Sequence, residues 1–121
     1  MTTPDRPCLV YGIKNCDTMK KAFAWLDANA VAYEFIDYKK AGVAAGKLPE
    51  WNRLVGWEKL LNRQGLTWRK LAEEQRAGID EASALALMAA QPTLIKRPLI
   101  EFGDAQLLVG FDPERYREVL A

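Results

Sequence analysis

The chain of 121 residues has no histidine. That absence excludes every Ser-His or Cys-His catalytic pair and the common zinc sites that use imidazole. Cysteine is nearly absent too, with only Cys8 and Cys16, so a zinc site of four thiolates is also excluded. A resident metal is therefore not expected, and neither is a bound organic cofactor. Net charge is almost lacking: 17 Lys and Arg stand against 16 Asp and Glu, giving +1. So small an excess supplies no global attraction to nucleic acid or to an acidic membrane surface. No apolar run approaches the roughly 18 residues that span a bilayer. The first residues, Met1 to Pro7, run from polar directly into a short apolar stretch and lack the layout of a secretory leader. These readings point to a cytoplasmic protein without nucleic-acid or membrane partners.

Half of the residues are hydrophobic and 27% are charged, an ordinary balance for a globular domain with one core. Residues 8–13 form a short, nearly continuous apolar run, the pattern of a strand buried on both faces. After Lys14-Asn15 the period changes: Met19, Ala22, Phe23, Leu26 and Ala30 fall on one stripe, which predicts an amphipathic helix from Cys16 to near Asn29. Residues 32–37, rich in aromatic and branched side chains, predict a second strand and so a βαβ unit.

Residues 41–46 are small and glycine-containing and read as a loop. Pro49 suits the first turn of a helix that Gly56 would stop. Shorter helical pieces are expected at 57–61 and after Thr67, which would serve as a cap, with a turn at 62–65 between them. A last helix of this block follows the Asp80 cap and ends before Pro92. Trp51, Trp57 and Trp68 are spaced for burial within the block. Lys20-Lys21, Lys39-Lys40 and Arg69-Lys70 read as solvated edges. Residues 99–102 and 106–109 flank Gly103-Asp104-Ala105 as a hairpin, and Asp112-Pro113-Glu114 starts a final helix. The order βαβ, helical block, ββα matches an α/β thioredoxin-like fold with a mixed sheet. The expectation is one domain over 1–121 with a helical insertion at about 41–93.

Cys16 lies where the buried strand gives way to the helix. The first turn of a helix has N–H groups with no intrahelical partner and carries the positive end of the dipole, both of which favour a thiolate. Lys14 adds a nearby positive charge. Cys8 sits at the far end of the strand. Eight positions apart along a mostly extended chain, the two Cα atoms should be roughly 20 Å apart. That is well beyond the disulfide limit of about 7 Å. Cys8 is expected to be inert. The place three residues after Cys16 is Met19, so a dithiol site is absent. An oxidised Cys16 must be resolved by an outside thiol, and in a reducing cytosol glutathione or another small thiol is the natural partner.

The segment from Tyr11 to Ala22 (YGIKNCDTMKKA) resembles the active-site segment of the arsenate reductase (ArsC)-like family within the thioredoxin-like superfamily. Gly56 to Gly65 (GWEKLLNRQG), Thr67 to Leu71 (TWRKL) and Ile95 to Ile100 (IKRPLI) resemble the same family, in order, over about residues 7–120. The YffB-type branch is most similar, with the Spx-type transcriptional regulators as relatives. The resemblance implies that Cys16 is the catalytic cysteine and that Arg97 faces it and binds an anion. It implies that Pro98 is a cis proline. Lys14, Asn15, Thr18, Arg63 and Lys96, with Pro98, are then the expected substrate-binding residues.

The resemblance implies a glutathione-dependent thiol reductase with glutathione as co-substrate and glutaredoxin as a further candidate partner. Its alternatives are an Spx-like, non-enzymatic regulator that binds RNA polymerase, and a genuine arsenate reductase. Spx-type proteins commonly carry a second cysteine that this chain lacks. Arsenate reductases carry an arginine where Asn62 stands, with Arg63 next to it. They carry another in the region that here reads Asp104 to Val109, which holds no arginine.

Overall fold

The computed structural model describes residues 7–120; the N-terminal stretch read above for a leader lies, apart from Pro7, outside them. Main-chain packing divides the chain into two compact units. One joins the chain up to Asp37 with the chain from Arg97 onward, and the other is Tyr38–Lys96.

The first unit is built on a four-stranded sheet. Strand β1 (Cys8–Gly12) is followed by helix α1 (Asp17–Ala28) and strand β2 (Tyr33–Asp37). After the second unit come β3 (Leu99–Phe102), β4 (Gln106–Val109) and the final helix, α7 (Pro113–Leu120). The strand order is β2-β1-β3-β4. β1 pairs with β2 in parallel, Val10 opposite Phe35, and with β3 antiparallel, Val10 opposite Ile100. The β3–β4 hairpin sets Ile100 opposite Leu108. This is the thioredoxin-like arrangement expected from the element order.

Side chains alternate across a strand, so Cys8, Val10, Ile100 and Leu108 share one face of the sheet. There they pack with Met19, Ala22 and Leu26 of α1 and Tyr116 of α7. Phe23 stacks on Tyr33 and meets Phe35 edge-on. Trp25 and Phe111 both meet the Tyr116 ring edge-on, and the Tyr116 hydroxyl donates to the Gly110 carbonyl at 2.6 Å. Ala30 departs from the helical stripe assigned to it. Helix α1 ends at Ala28, and Ala30 is exposed in the left-handed region at φ 56°.

The second unit is helical: α2 (Val43–Val55), α3 (Trp57–Leu60), α4 (Leu66–Arg69), α5 (Glu73–Ala77) and α6 (Glu81–Ala90), then one 3-10 turn at Pro92–Leu94. Its ends are tied together. The Tyr38 hydroxyl donates to the Ile95 carbonyl at 2.7 Å, and the Lys96 N–H donates to Leu60.

Several expectations fail here. Residues 43–46 belong to α2, which puts Pro49 in its seventh position and not in its first turn. Burial of Ala44, Leu48 and Trp51 along one stripe outweighs the local cost of Gly46 and Pro49. The proline deprives only the Ala45 carbonyl of a partner, and Ala45 is exposed to water. Thr67 is not a cap: α4 begins a residue earlier behind Gly65, and the Thr67 hydroxyl pairs with that of Thr93 at 2.7 Å. Trp51 is fully buried as expected, whereas Trp57 and Trp68 are only half-buried. No helix among the described residues is long and apolar enough to cross a membrane.

Candidate active site

The end of β1 and the start of α1 are separated by Ile13, Lys14, Asn15 and Cys16. Cys16 is the N-cap residue of α1, with extended φ and ψ of −135° and 131°. Its carbonyl accepts the first helical bond, from the Lys20 N–H at 3.0 Å. Its side chain therefore lies over the open first turn. The Thr18 and Met19 N–H groups face the sulfur, although neither closes the geometry of a full capping hydrogen bond.

The third donor comes from the other end of the sequence. Arg97 precedes β3, and the Arg97–Pro98 peptide bond is cis. The chain is held at this point by the Gly110 N–H, which donates to the Pro98 carbonyl at 2.8 Å. The guanidinium reaches the Cys16 sulfur and donates to it.

Burial, the largest single influence, pushes the Cys16 thiol up. The Met19 N–H, the Arg97 hydrogen bond, the Thr18 N–H and the arginine's charge together outweigh it and hold the thiol below its ordinary value. Cys8 has the opposite environment. It is buried in the sheet, and burial raises its thiol. Both cysteines are free thiols. Of the two thiols, the half-buried Cys16 is the one whose surroundings favour the thiolate form.

Of the residues singled out in the sequence, Cys16, Arg97 and the main chain of Thr18 come together. Lys14, Asn15 and Thr18 have exposed side chains around the N-cap, and Pro98 supplies the cis bond. Arg63 and Lys96 belong to the helical unit. Arg63 lies against two indole rings, 6.0 Å from the centroid of Trp57 and 5.5 Å from that of Trp68. Asn62, in the place of an arginine, accepts from the Gln64 N–H and shapes the turn. The Met19 main chain is the participant that sequence reasoning missed. Its residue was read only as part of the buried stripe, yet the third residue of a helix is also where an N-cap side chain finds its donor. Among the described residues no three His, Cys, Asp or Glu side chains converge as metal ligands.

The model of the ArsC family matches residues 11–119, nearly the whole described chain. This protein belongs to the ArsC family. An uncharacterized protein of Haemophilus influenzae is 40% identical over 112 residues, covering 93% of this chain and 97% of that protein. A solved protein named YFFB is 53% identical with a TM-score of 0.87, over 94% of this chain and 99% of its own. An arsenate reductase (ArsC) related protein from Brucella melitensis is 48% identical with a TM-score of 0.78, over 98% of each chain. Membership covers both units of the chain, so the helical unit is part of the family's own pattern.

Proposed function

We propose that this ArsC-family protein is a thiol reductase that uses Cys16 as its nucleophile and glutathione as its reductant. The observation that carries this reading is the meeting of the α1 N-terminus and the Arg97 guanidinium at one sulfur. Donors aimed at a sulfur stabilise its anion, and the thiolate is the reacting form.

The Cys16 thiolate attacks one sulfur of a disulfide, forming a Cys16–S–S–R bond and expelling the other sulfur as a thiolate. A glutathione thiolate then attacks the R sulfur of that mixed disulfide. Cys16 leaves as the thiolate, and R departs as its glutathione disulfide. The two electrons come from glutathione, and Cys16 ends as it began. Arg97 serves both halves. Its charge favours Cys16 as attacker and as leaving group, and its planar fork suits a carboxylate or oxyanion of the partner. The exposed Lys14 and Asn15 and the Thr18 hydroxyl offer further polar contacts for an anionic partner. Such turnover requires a compartment that keeps glutathione reduced, and a cytoplasmic location meets that requirement.

Treatment with oxidised glutathione followed by intact-mass and peptide mapping tests the reading. One glutathionyl adduct is expected, on Cys16, removed by excess reduced glutathione, with Cys8 unmodified. Absence of the adduct, or its appearance on Cys8 in preference to Cys16, overturns the assignment. A Cys16→Ser variant should lose the adduct and reductase turnover with small disulfides.

A further inference from the structure

Helix α1 is packed onto the sheet through the buried side that carries Met19, Ala22 and Leu26. Gly12 ends β1 and is buried, four residues before the cysteine. A Cβ on Gly12 would overlap the Met19 Sδ and stand 2.5 Å from its Cε. The Met19 thioether therefore occupies the space that any other residue at position 12 would claim. A methionine end usually evades such a clash by changing rotamer. Met19 is fully enclosed, so any such move has to be taken up by the side chains packed around it. It packs in the cluster of Val10, Ala22, Leu26, Ile100 and Tyr116. The same residue's N–H is a donor facing Cys16, and Cys16 itself rests on this cluster. Gly12 is not in the left-handed region, since its φ is absent from the positive values found at Gly42, Gly56, Gly103 and Gly110. The demand for glycine here comes from the close approach of Met19 and not from backbone conformation.

We propose that Gly12 and Met19 are a positioning pair for the reaction. The bare Cα of the strand end receives the thioether, and this seats the first turn of α1 with its N–H groups directed at the Cys16 sulfur. The inference rests on the reading of Cys16 as a thiolate nucleophile and adds the two residues that set its donors. A methyl group at position 12 pushes Met19 outward, and the helix start moves with it. A displacement of a few tenths of an ångström suffices to weaken an N–H contact that already falls short of a full capping hydrogen bond.

The test is the pH profile of Cys16 alkylation by iodoacetamide, followed by peptide mapping so that Cys8 does not contribute. It reads the thiol directly and needs no substrate. Gly12→Ala should raise the Cys16 pKa by about one unit, the size of shift that follows from losing one modest contact to the anion. Gly12→Ala combined with Met19→Val removes the Sδ and Cε while nearly conserving the summed side-chain volume, a change that cores tolerate well. In that double variant the Cys16 profile should return to that of the wild type. Such non-additivity is the mark of two residues acting as one unit. A folded Gly12→Ala protein with an unchanged profile overturns the inference, as does a double variant whose profile stays raised. If Gly12→Ala does not fold, recovery of folding and of the wild-type profile in the double variant supports the pair. Failure of the double variant to fold overturns it. A wild-type Cys16 that titrates as an ordinary thiol overturns the thiolate reading itself, a result distinct from a low wild-type value that Gly12→Ala leaves in place.

Discussion

At the scale of single residues, the site depends on one sulfur and the charges that face it. Arg97 contributes both a hydrogen bond and a full positive charge to Cys16, while burial opposes them. Arg97→Ala leaves burial in place and removes both favourable influences. The Cys16 pKa should then rise by about one unit or more, each unit being worth about 1.4 kcal/mol. Glutathionylation at neutral pH should slow accordingly. Arg97→Lys should restore part of the titration shift through charge, but less of the affinity for an anionic partner, which needs the planar fork. Stopped-flow reaction with a disulfide across pH separates the two effects. An unchanged Cys16 profile in Arg97→Ala would remove the arginine from the site.

At the scale of elements, α6 shows how much a local signal decides. Asp80 Oδ1 accepts from the Ser83 N–H at 2.9 Å, and the Ser83 hydroxyl accepts from the Asp80 N–H at 2.9 Å. The Ser83 main chain and side chain hold the Asp80 carboxyl below its usual range. A lowered pKa makes the carboxylate's contribution fully present above the unfolded value of about 3.9 and lost as the pH falls through the native one. Asp80→Ala should therefore lower the thermal midpoint by a few degrees at neutral pH. The gap from wild type should close in acid. Asp80→Asn, which can still accept the capping bond, should keep most of the midpoint.

The same distinction explains which elements were legible in the sequence. β1, the 99–109 hairpin, the Asp80 cap and the Asp112-Pro113 start were all readable, because each is written in adjacent residues. The Asp112 carboxylate indeed accepts from the Arg115 N–H at 3.2 Å. Helix α2 was not readable, because Gly42, Gly46 and Pro49 are local signals for a loop and a later start. The burial of Leu48 and Trp51 that overrides them is a tertiary fact. Thr67 was misread for a similar reason, since the partner of its hydroxyl is 26 residues away. At the site, Cys16 was marked by its place between strand and helix. The approach of Arg97 was supplied by family resemblance and by no pattern in the chain. The contact between Gly12 and Met19 had no sequence signal beyond a glycine at a strand end.

At the scale of the whole molecule, protonation couples the core to stability. The Tyr116 hydroxyl is buried against the Gly110 carbonyl, and burial, followed by the nearby Asp112 charge, pushes its pKa far above the usual tyrosine range. Burial also raises Cys8, and burial with Asp27 raises Tyr33. An acid raised in the native state keeps its proton while the unfolded chain releases it. Stability from these groups is therefore present below the unfolded values, about 8.5 for thiol and 10 for phenol, and falls as the pH climbs past them. Cys16 works in the other direction. Its lowered pKa adds stability above the unfolded thiol value, lost as the pH drops through the native one. Three raised groups against one lowered thiol predict a decline in urea stability between about pH 9 and 11. Tyr116→Phe should lose about 1–2 kcal/mol at neutral pH, where the Gly110 carbonyl is left without its donor. Its alkaline decline should be shallower than that of the wild type. Equal slopes would show that Tyr116 does not drive the alkaline loss.

The register of β1 has a consequence for how the chain is made. β1 lies between β2 and β3, and its partner on one side follows within the same βαβ unit, whereas Ile100 is about ninety residues beyond Val10. A ribosome adding about 5–20 residues per second needs roughly 5–20 seconds to supply that second partner. Throughout this interval the nascent β1 presents the main-chain edge that β3 will occupy, beside the most apolar segment near its start. The helical unit is synthesised entirely within the same interval. Protection of that waiting edge is a demand placed on the cell by the order of the strands and not by the finished sheet.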